Sequence, residues 1–521
     1  MNAQDAPVIV AGAGPVGLLL ACELRLGGAD VVVLERRARP MTGSRASTLH
    51  ARTVEFLDGR GLSSALGDPP VEPRGHVGGI PLDLVAPPAP ASPYAGQWKV
   101  PQATLERILA GRARELGVEV RREHEVVGLT DTGDAVAVAV RGPAGPRRIA
   151  GSWLVGCDGA DGPVRDLAGI PATGRAATRT LLRADLTGVD IRERRFERHP
   201  GGLAVAARLP GGATRVMVHD AGRAPGGRPP DLADVTSAWK RVTGEDLSGA
   251  VATWVDGFDD ASRQALRYRS GRVLLAGDAA HQRLPVGGQA LNLGLADAAN
   301  LGWKLAAEAT GRAPAGLLDS YDAERRPVGR RTLDQIAAQA VLLLGGPEAV
   351  PLRALTTELL EIPQVRRLLA GAITGLDTRY ELPAPPDGAP PHALAGRRLP
   401  PTPVRAGTGP AAATTTAELA RDGRGLLLLP PGPYRRALRW AAAAWSGRVS
   451  VADVLEGPAR GEADPDAPGT WNGTDPLLVR PDGHVAWGGT GPGPVRALSS
   501  ALALWFGPAA AGRRTAVGAV S

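Results

Sequence analysis

Cysteine is nearly absent from the 521-residue sequence, which contains only Cys22 and Cys157. Two thiols in a chain of this length can neither cross-link a secreted scaffold nor complete a structural zinc site. The eight histidines show no HExxH or other paired spacing of metal ligands. The sequence therefore predicts no metal site, and the reducing cytoplasm is the expected location.

Long apolar runs are also lacking, because glycine, arginine or aspartate interrupts each run well before the roughly 18 residues that a membrane-spanning helix needs. The N-terminus has no basic segment, so we expect no signal peptide. Only three lysines stand among the 60 basic residues, and the net charge of +7 comes from scattered arginines. No basic run is interleaved with aromatic residues. We therefore expect neither a membrane nor a nucleic-acid partner.

The beginning of the chain has the pattern of a βαβ unit. Residues 7–12 (PVIVAG) and 30–35 (DVVVLE) are typical of buried strands, and residues 15–27 are typical of a helix. The hydrophobic content of 43% is ordinary for a globular protein, and the length predicts two or three domains.

The turn between this first strand and helix has the pattern GAGPVG. Gly12 would allow the tight turn, Gly14 the approach of the backbone to a pyrophosphate, and Gly17 close packing of helix and strand. Glu35, at the end of the second strand, could accept hydrogen bonds from ribose hydroxyls, which the alternative of a purely structural glycine turn does not explain. The candidate dinucleotide-binding residues are Gly12, Gly14, Pro15, Val16, Gly17 and Glu35.

A later segment, GDAAHQRLPVGGQALN (residues 277–292), combines a carboxylate with a bare backbone. Asp278 is expected at a strand tip, residues 285–288 are expected to be extended, and a helix is expected to start near Leu291. The N-terminus of a helix stabilises negative charge. This combination suits a flat ring that becomes anionic on reduction, such as a flavin.

Together these motifs resemble those of the class A flavoprotein monooxygenases, which have the para-hydroxybenzoate hydroxylase fold, and most closely the FAD-dependent aromatic polyketide hydroxylases. The resemblance covers almost the whole chain. It also includes the segments LER (34–36), SRASTLHARTVEFLDGRGL (44–62), VPQATLERIL (100–109), GCDGADGPVRDLAG (156–169) and RPDGHVAW (480–487).

The resemblance implies that FAD is the cofactor and NAD(P)H a co-substrate. Glu35 and Arg36 would hold the AMP half of FAD, Arg45 and Gln102 would reach the rest of it, and Asp278 would hold the ribityl–pyrophosphate region. The residues expected to line the isoalloxazine ring are Pro285, Gly287, Gly288, Gln289, Ala290, Leu291 and Asn292.

The segment around Asp158 and Gly159 shows by itself only a strand, a turn and a helix, but in the family it is linked to both FAD and NAD(P)H. The sequence departs from the family pattern at two positions. Gly162 stands where serine is usual, and Ala290 stands where glycine is common. We expect a negative φ at Ala290, which would tolerate the methyl group.

The predicted fold is α/β: a Rossmann-like FAD domain with an interleaved β-sheet substrate domain and a C-terminal thioredoxin-like domain. The C-terminal part has no cysteine and cannot perform dithiol chemistry, which leaves a structural role or assembly, for example as a homodimer. The predicted boundaries are 1–175 for the FAD domain with an excursion near 71–100, 176–269 for the substrate domain, 270–385 for the return to the FAD domain, and 386–521 for the C-terminal domain.

By the resemblance, the chain uses FAD, NAD(P)H and O₂ to hydroxylate a polycyclic aromatic polyketide through a C4a-hydroperoxyflavin. Baeyer–Villiger or ring-rearranging oxygenation of the same substrate class is the alternative. A flavin halogenase lacks support because the WxWxIP signature is missing. A non-catalytic FAD-binding scaffold is the alternative from a different class.

Arg283 is a candidate substrate anchor. It lies two residues before Pro285, so on an extended segment both side chains would face the same side. A positive charge there would favour the phenolate form of a substrate. The alternative is a surface arginine paired with a carboxylate.

Overall fold

The structure is a computed structural model that describes residues 6–41, 46–85, 92–209, 211–226, 228–384, 390–406, 413–456, 471–489 and 493–510. The strands are, in chain order, β1 (Val8–Ala11), β2 (Val31–Glu35), β3 (Leu49–His50), β4 (Val71–Glu72), β5 (Arg74–Val77), β6 (Ile80–Asp83), β7 (Gln97–Trp98), β8 (Glu119–Arg122), β9 (Glu125–Asp131), β10 (Val136–Gly142), β11 (Gly145–Gly151), β12 (Trp153–Gly156), β13 (Ala172–Arg175), β14 (Thr180–Thr187), β15 (Arg194–His199), β16 (Gly202–Arg208), β17 (Thr214–Asp220), β18 (Val251–Asp259), β19 (Ser262–Ala265), β20 (Arg269–Ser270), β21 (Val273–Leu275), β22 (His281–Gln282), β23 (Pro403–Ala406), β24 (Ala413–Thr415), β25 (Gly425–Leu429), β26 (Val449–Glu456), β27 (Leu477–Val479) and β28 (Val485–Gly488). The α-helices are α1 (Pro15–Leu26), α2 (Ala51–Asp58), α3 (Gln102–Glu115), α4 (Val164–Leu167), α5 (Leu232–Thr243), α6 (Gln289–Ala309), α7 (Asp319–Leu344), α8 (Ala349–Leu359), α9 (Pro363–Thr374), α10 (Arg435–Ala442) and α11 (Pro494–Phe506).

The first sheet has six strands in the order β20-β21-β12-β1-β2-β8. Pairing is parallel everywhere except between β20 and β21. Strand β1, helix α1 and strand β2 form the predicted βαβ unit. The carboxyl ends of the parallel strands lie at one edge of the sheet, so the loops with Gly12, Glu35, Asp158 and Asp278 meet there.

A second sheet is antiparallel, with five strands in the order β15-β16-β17-β14-β18. It lies in the stretch 176–269 that the sequence predicts to be rich in strands. Helix α5 covers one face, where Trp239 is fully buried. On the other face, Leu181 and Phe258 pack with Leu284 of the segment that precedes α6. This second face is therefore turned toward the edge where the first sheet's loops meet.

Helix α6 packs closely on α1. A Cβ atom at Gly302 would lie 2.3 Å from the Cβ of Glu23, and one at Gly27 would lie 2.3 Å from the Cβ of Ala306. Each helix thus has a glycine where the other approaches most closely. The sequence between β21 and α6 contains a short 3-10 helix, Gly277–Ala279.

The C-terminal sheet has six strands in the order β24-β23-β26-β25-β27-β28, in which only β25 and β26 are parallel. Its core continues into the first part of the chain. Trp303 and Leu317, from the helical region before it, pack in one cluster with Leu438, Trp445 and Trp505. The two parts of the chain therefore share a hydrophobic core.

The overall prediction of a mixed α/β fold is confirmed. Helix α3 begins at Gln102, directly after Pro101. Proline at the cap presets the backbone for a helix entry there. None of the helices in the described ranges is long and apolar enough to cross a membrane.

Candidate active site

The turn after β1 is shaped by glycine at two close approaches. Gly12 has φ +104°, and a Cβ atom on it would lie 2.4 Å from the carbonyl oxygen of Cys157. A Cβ atom on Gly17 would lie 2.0 Å from the carbonyl oxygen of Gly12. At Gly14, by contrast, no described atom lies within 4 Å of the Cβ position. The backbone of Gly14 is therefore accessible to a ligand.

Glu35 is fixed across this turn by two backbone groups. Its Oε2 accepts a hydrogen bond from Ala13 N at 2.8 Å, and its Oε1 accepts one from Arg37 N at 2.9 Å. From the sequence, Glu35 was predicted only to accept hydrogen bonds from a ligand. The carboxylate also stabilises the turn itself, and each oxygen keeps a lone pair for a further donor.

A groove of about 530 Å³ starts at this turn. It continues past the loop after β12 to the segment before α6 and ends against the second sheet. The predicted site residues that line it are Gly12, Gly14, Pro15, Val16, Glu35, Arg36, Gln102, Asp158, Asp278, Pro285, Ala290 and Leu291, together with Arg283. Arg45 lies outside the described residues. The other predicted residues are not in the groove wall: Gly17, Gly287, Gly288, Gln289 and Asn292.

The segment before α6 differs from its expected conformation. Gly287 and Gly288 have φ values of +68° and +71°, whereas an extended segment was predicted. A left-handed pair turns the chain sharply, so α6 begins at Gln289, two residues earlier than expected. Ala290 lies in the first turn of that helix, and its φ is not positive. The expected negative φ at Ala290 is therefore confirmed.

Asn292 holds this glycine turn from behind. Its side-chain oxygen accepts from His50 N at 2.8 Å, and its amide donates to Gly288 O at 2.7 Å and Thr48 O at 3.1 Å. The His50 Nε2 lies 2.8 Å from Gly287 O. Burial lowers the pKa of His50 to about 4, so the neutral ring donates to that carbonyl. His50 was not among the predicted site residues, because no local sequence pattern distinguishes it.

Asp158 places its carboxylate at the N-terminus of α4. Its Oδ2 accepts from Val164 N at 3.0 Å. Its Oδ1 is buried and has no hydrogen-bond partner within the described part of the chain. Burial raises the pKa of Asp158 to about 6. Asp158 thus lines the groove, but its unpartnered oxygen is closed to solvent in this structure.

Arg283 is buried, so its interpretation as a surface arginine was wrong. Its guanidinium donates to the carbonyl oxygens of His281, at 2.7 Å, and of Ala290, and it contacts the His281 ring. Asp278 lies 3.8 Å away. Burial lowers the pKa of this arginine. Arg283 thus joins the strand before the glycine turn to the first turn of α6.

The far wall of the groove comes from β14 and β18 and includes Arg183, Asp256 and Phe258. The Arg183 guanidinium lies 4.7 Å from the ring centre of Trp254 and 5.4 Å from that of Phe258. Burial and the charge of Arg215 lower the pKa of Arg183 to about 10. These side chains were not predicted, because an arginine or an aromatic residue in an alternating strand has no sequence pattern that distinguishes a site residue.

The chain matches two family models: an FAD-binding domain over residues 5–336, and the C-terminal domain of aromatic-ring hydroxylases over residues 392–509. The chain belongs to the FAD-dependent aromatic-ring hydroxylases. A 12-dehydrotetracycline 5-monooxygenase/anhydrotetracycline 6-monooxygenase of Streptomyces rimosus is 41% identical, over 96% of this chain and 99% of that protein. The crystal structure of CabE, an aromatic hydroxylase from angucycline biosynthesis, has a TM-score of 0.88 and 43% identity, over 97% of this chain and 99% of that one. A dialkyldecalin synthase of Streptomyces rugosporus is 38% identical over 96% of this chain and 99% of that protein.

The groove of this aromatic-ring hydroxylase fits FAD. The open backbone at Gly14 and the N-terminus of α1 can receive the pyrophosphate. The carboxylate of Glu35 can accept from the ribose hydroxyls, and Asp158 lines the same groove. Among the described residues, no group of three or more histidine, cysteine, aspartate or glutamate side chains could hold a metal ion.

Proposed function

We propose that this hydroxylase uses NAD(P)H and O₂ to hydroxylate a polycyclic aromatic polyketide. One observation carries the proposal: the groove that begins at the dinucleotide turn ends against Phe258 and Arg183 of the second sheet. A planar substrate placed between that sheet and the flavin would meet the Phe258 ring and the charged side chains of Arg183 and Asp256. The tetracycline and angucycline enzymes among the relatives support the polycyclic substrate class.

When bound, FAD supplies the redox chemistry, accepting a hydride equivalent from NAD(P)H and activating O₂. The protein would position the flavin and the substrate, exclude water from the groove and place charged groups beside both. The N-terminal turn of α6 places Ala290 and Leu291 in the groove wall and would favour negative charge on the ring. Asn292 and His50 hold the glycine turn that sets this helix end.

Two arginines would act on the substrate in this proposal. Arg283, in the wall beside Pro285, would favour the phenolate form, and phenolates are better nucleophiles than phenols. Arg183, on the opposite wall, is held over aromatic rings and can face an anionic or carbonyl oxygen. Asp158 and Gly159 lie at the groove and would be near the path of NAD(P)H. We further propose that the enzyme works in the cytoplasm.

The test is a screen of polycyclic aromatic polyketides for stimulated NAD(P)H oxidation by the FAD-loaded protein, with product masses measured under ¹⁸O₂. One labelled oxygen added to an intact ring system supports hydroxylation. One labelled oxygen inserted into a ring as an ester identifies Baeyer–Villiger chemistry instead. Conversion without oxygen uptake or NAD(P)H consumption would overturn the monooxygenase proposal. It would favour a synthase reaction, the kind named for the dialkyldecalin synthase relative.

A further inference from the structure

A cluster of buried ionic groups lies where the C-terminal part of the chain meets α6 and α7. We name it the docking cluster; its members are Asn300, Lys304, Glu324, Arg480 and Asp482. Each has at most 5% of its surface exposed. The two cations and two carboxylates balance, as buried charges require.

The docking cluster is held by a dense set of hydrogen bonds. Arg480 donates to both oxygens of Glu324, at 2.7 and 2.8 Å. Lys304 donates to Glu324 at 2.8 Å, and Asn300 donates to Glu324 at 2.7 Å and to Asp482 at 3.0 Å. Burial alone would raise the pKa of Glu324, but Arg480 and Lys304 lower it to about 2. The cluster is therefore ionised at neutral pH and joins three segments that are far apart in sequence.

The turn at residues 480–484, which follows β27, supplies the C-terminal members of the cluster. Backbone carbonyl oxygens of this turn also accept hydrogen bonds. Arg60, which pairs with Glu23 of α1, donates to Pro481 O at 2.7 Å, and Arg52 of α2 donates to Asp482 O. The single turn thus contacts α6 and α7 directly, α2 through Arg52, and α1 through Arg60.

Helix α6 is held along one face by this arrangement. Its contacts recur at Leu293, Asp297, Asn300 and Lys304, at the three- and four-residue spacing of one helix face. Arg325, next to Glu324 on α7, donates to Leu293 O at 3.1 Å and to Asp297 at 2.8 Å. The same residue donates to the Tyr380 hydroxyl at 3.1 Å.

The series reaches the cofactor groove at its other end. Asp297 accepts from Gly277 N at 3.1 Å and from the His281 ring at 2.6 Å. His281 in turn contacts Arg283, which donates to Ala290 O in the groove wall. Buried polar contacts therefore lead from the 480–484 turn to the first turn of α6, with one step, from Glu324 to Arg325, made along the backbone of α7.

We propose that the 480–484 turn of the C-terminal domain positions the flavin-facing end of α6, with Arg480 and Glu324 as its positioning residues. This gives the cysteine-free domain a role in the cofactor site besides covering the core. Displacements of about 1 Å at a reacting centre can lower the rate a hundredfold. The rate is therefore expected to depend on how precisely α6 is held. The inference needs FAD binding but does not depend on the substrate class.

The test compares the double variant Glu324→Leu/Arg480→Met with the wild type. It removes one charge of each sign, so Lys304 and Asp482 still balance, and such exchanges of a buried pair often preserve folding. The control is Arg435→Met/Asp453→Leu, which removes a partly exposed ion pair of 2.9 Å within the same C-terminal domain and also takes the partner Asp453 from Arg439. The isosteric variant Asp482→Asn serves if the double variant does not fold.

Two readouts are free of substrate. In the FAD-free proteins, amide hydrogen exchange of residues 289–293 should be about tenfold faster in the double variant and unchanged in the control. In the FAD-loaded proteins, the midpoint potential and the visible spectrum of the flavin should shift, again only in the double variant. Asp482→Asn should give smaller changes in the same direction.

Wild-type exchange at residues 289–293 with a wild-type flavin potential, in a folded double variant or in Asp482→Asn, would overturn the proposal and leave the cluster as a simple domain contact. Equal changes in the control would overturn it too, because the effect would then follow from general loss of stability. Neither result depends on which aromatic compound the enzyme oxidises.

Discussion

The carboxylate of Asp158 occupies the space where a side chain at residue 162 would begin. A Cβ atom built on Gly162 would lie 2.0 Å from the Asp158 Cγ and 2.3 Å from its Oδ2. The glycine at position 162 is therefore coupled to the orientation of Asp158. We predict that Gly162→Ser forces the carboxylate away from Val164 N, at a cost of about 1–3 kcal/mol in stability.

Thermal unfolding of the FAD-free protein, together with FAD affinity, measures this effect. Ala160→Ser, two residues earlier in the same loop, is the control and should behave as the wild type. An unchanged melting temperature and unchanged FAD affinity for Gly162→Ser would show that Asp158 has a second orientation of equal energy.

The pH dependence of stability should carry the signature of Asp158. Burial raises its pKa from 3.8 to about 6, so between these values the folded state keeps a proton that the unfolded state has lost. Its contribution to stability is therefore full below pH 3.8 and is lost as the pH rises to about 6, amounting to about 3 kcal/mol. Asp158→Asn cannot ionise and should gain stability over the wild type across this interval, with a constant difference above it.

Melting temperatures of the FAD-free wild type and Asp158→Asn, measured from pH 4 to 8, check this prediction. The difference between the two proteins is the relevant quantity, because other buried groups titrate in both. A difference that does not change with pH would mean that Asp158 has an ordinary pKa.

Glu35→Ala should weaken FAD binding by about 1–3 kcal/mol, because it removes a ribose acceptor and leaves Ala13 N and Arg37 N without their partner. Titration of the FAD-free protein with FAD, followed by flavin fluorescence, gives the dissociation constant. Glu35→Gln keeps one carbonyl oxygen as an acceptor, so its FAD affinity should fall less than that of Glu35→Ala. Wild-type affinity in Glu35→Ala would disprove the assignment of Glu35 to the cofactor.

The shared core makes a separate prediction for the C-terminal domain. Trp303 is 6% exposed and lies 6.5 Å from Trp505 and 6.1 Å from Phe506, measured between ring centres. Trp303→Ala should cost about 3–5 kcal/mol. Trp440, which is 81% exposed, is the control, and its replacement by alanine should stay within about 0.5 kcal/mol. Urea unfolding measures both; equal small effects would show that the two parts of the chain are stabilised independently.

The parts of the site that sequence could predict are those with local causes. The close approach of Gly17 to Gly12 O lies within the GAGPVG pattern, and the βαβ unit follows from apolar runs of the right length. The conformation of Gly287 and Gly288 was predicted wrongly because glycine is equally compatible with an extended and a left-handed backbone. The contacts of this turn with His50 and Asn292 favour the left-handed backbone.

The remaining contacts join residues far apart in the chain. His50 meets Gly287 across 237 positions, and Arg480 meets Glu324 across 156. No periodicity or spacing encodes such pairs; they exist only once the sheets and helices are packed. The arginine-rich composition adds to the difficulty, because a buried positioning arginine such as Arg480 is indistinguishable in sequence from the many exposed ones.

Arg283 offers the sharpest test of how charge acts in the groove. A guanidinium in a partly desolvated groove wall stabilises a phenolate by about 1–3 kcal/mol, which lowers the pKa of the phenol by roughly one to two units. Arg283→Gln should therefore shift the pH profile of product formation to higher pH and lower the fraction of NAD(P)H consumption that yields product. Because Arg283 also donates to Ala290 O, a lost hydrogen bond alone could lower that fraction.

Arg283→Lys separates the two effects, since it keeps the charge without the planar fork that reaches His281 and Ala290 together. If the charge acts on the substrate, Arg283→Lys keeps the wild-type pH profile and Arg283→Gln does not. If the hydrogen bonds that hold α6 are what matters, both variants lose product yield while the pH profile stays where it is. An unchanged profile and unchanged yield in Arg283→Gln would remove Arg283 from the functional site.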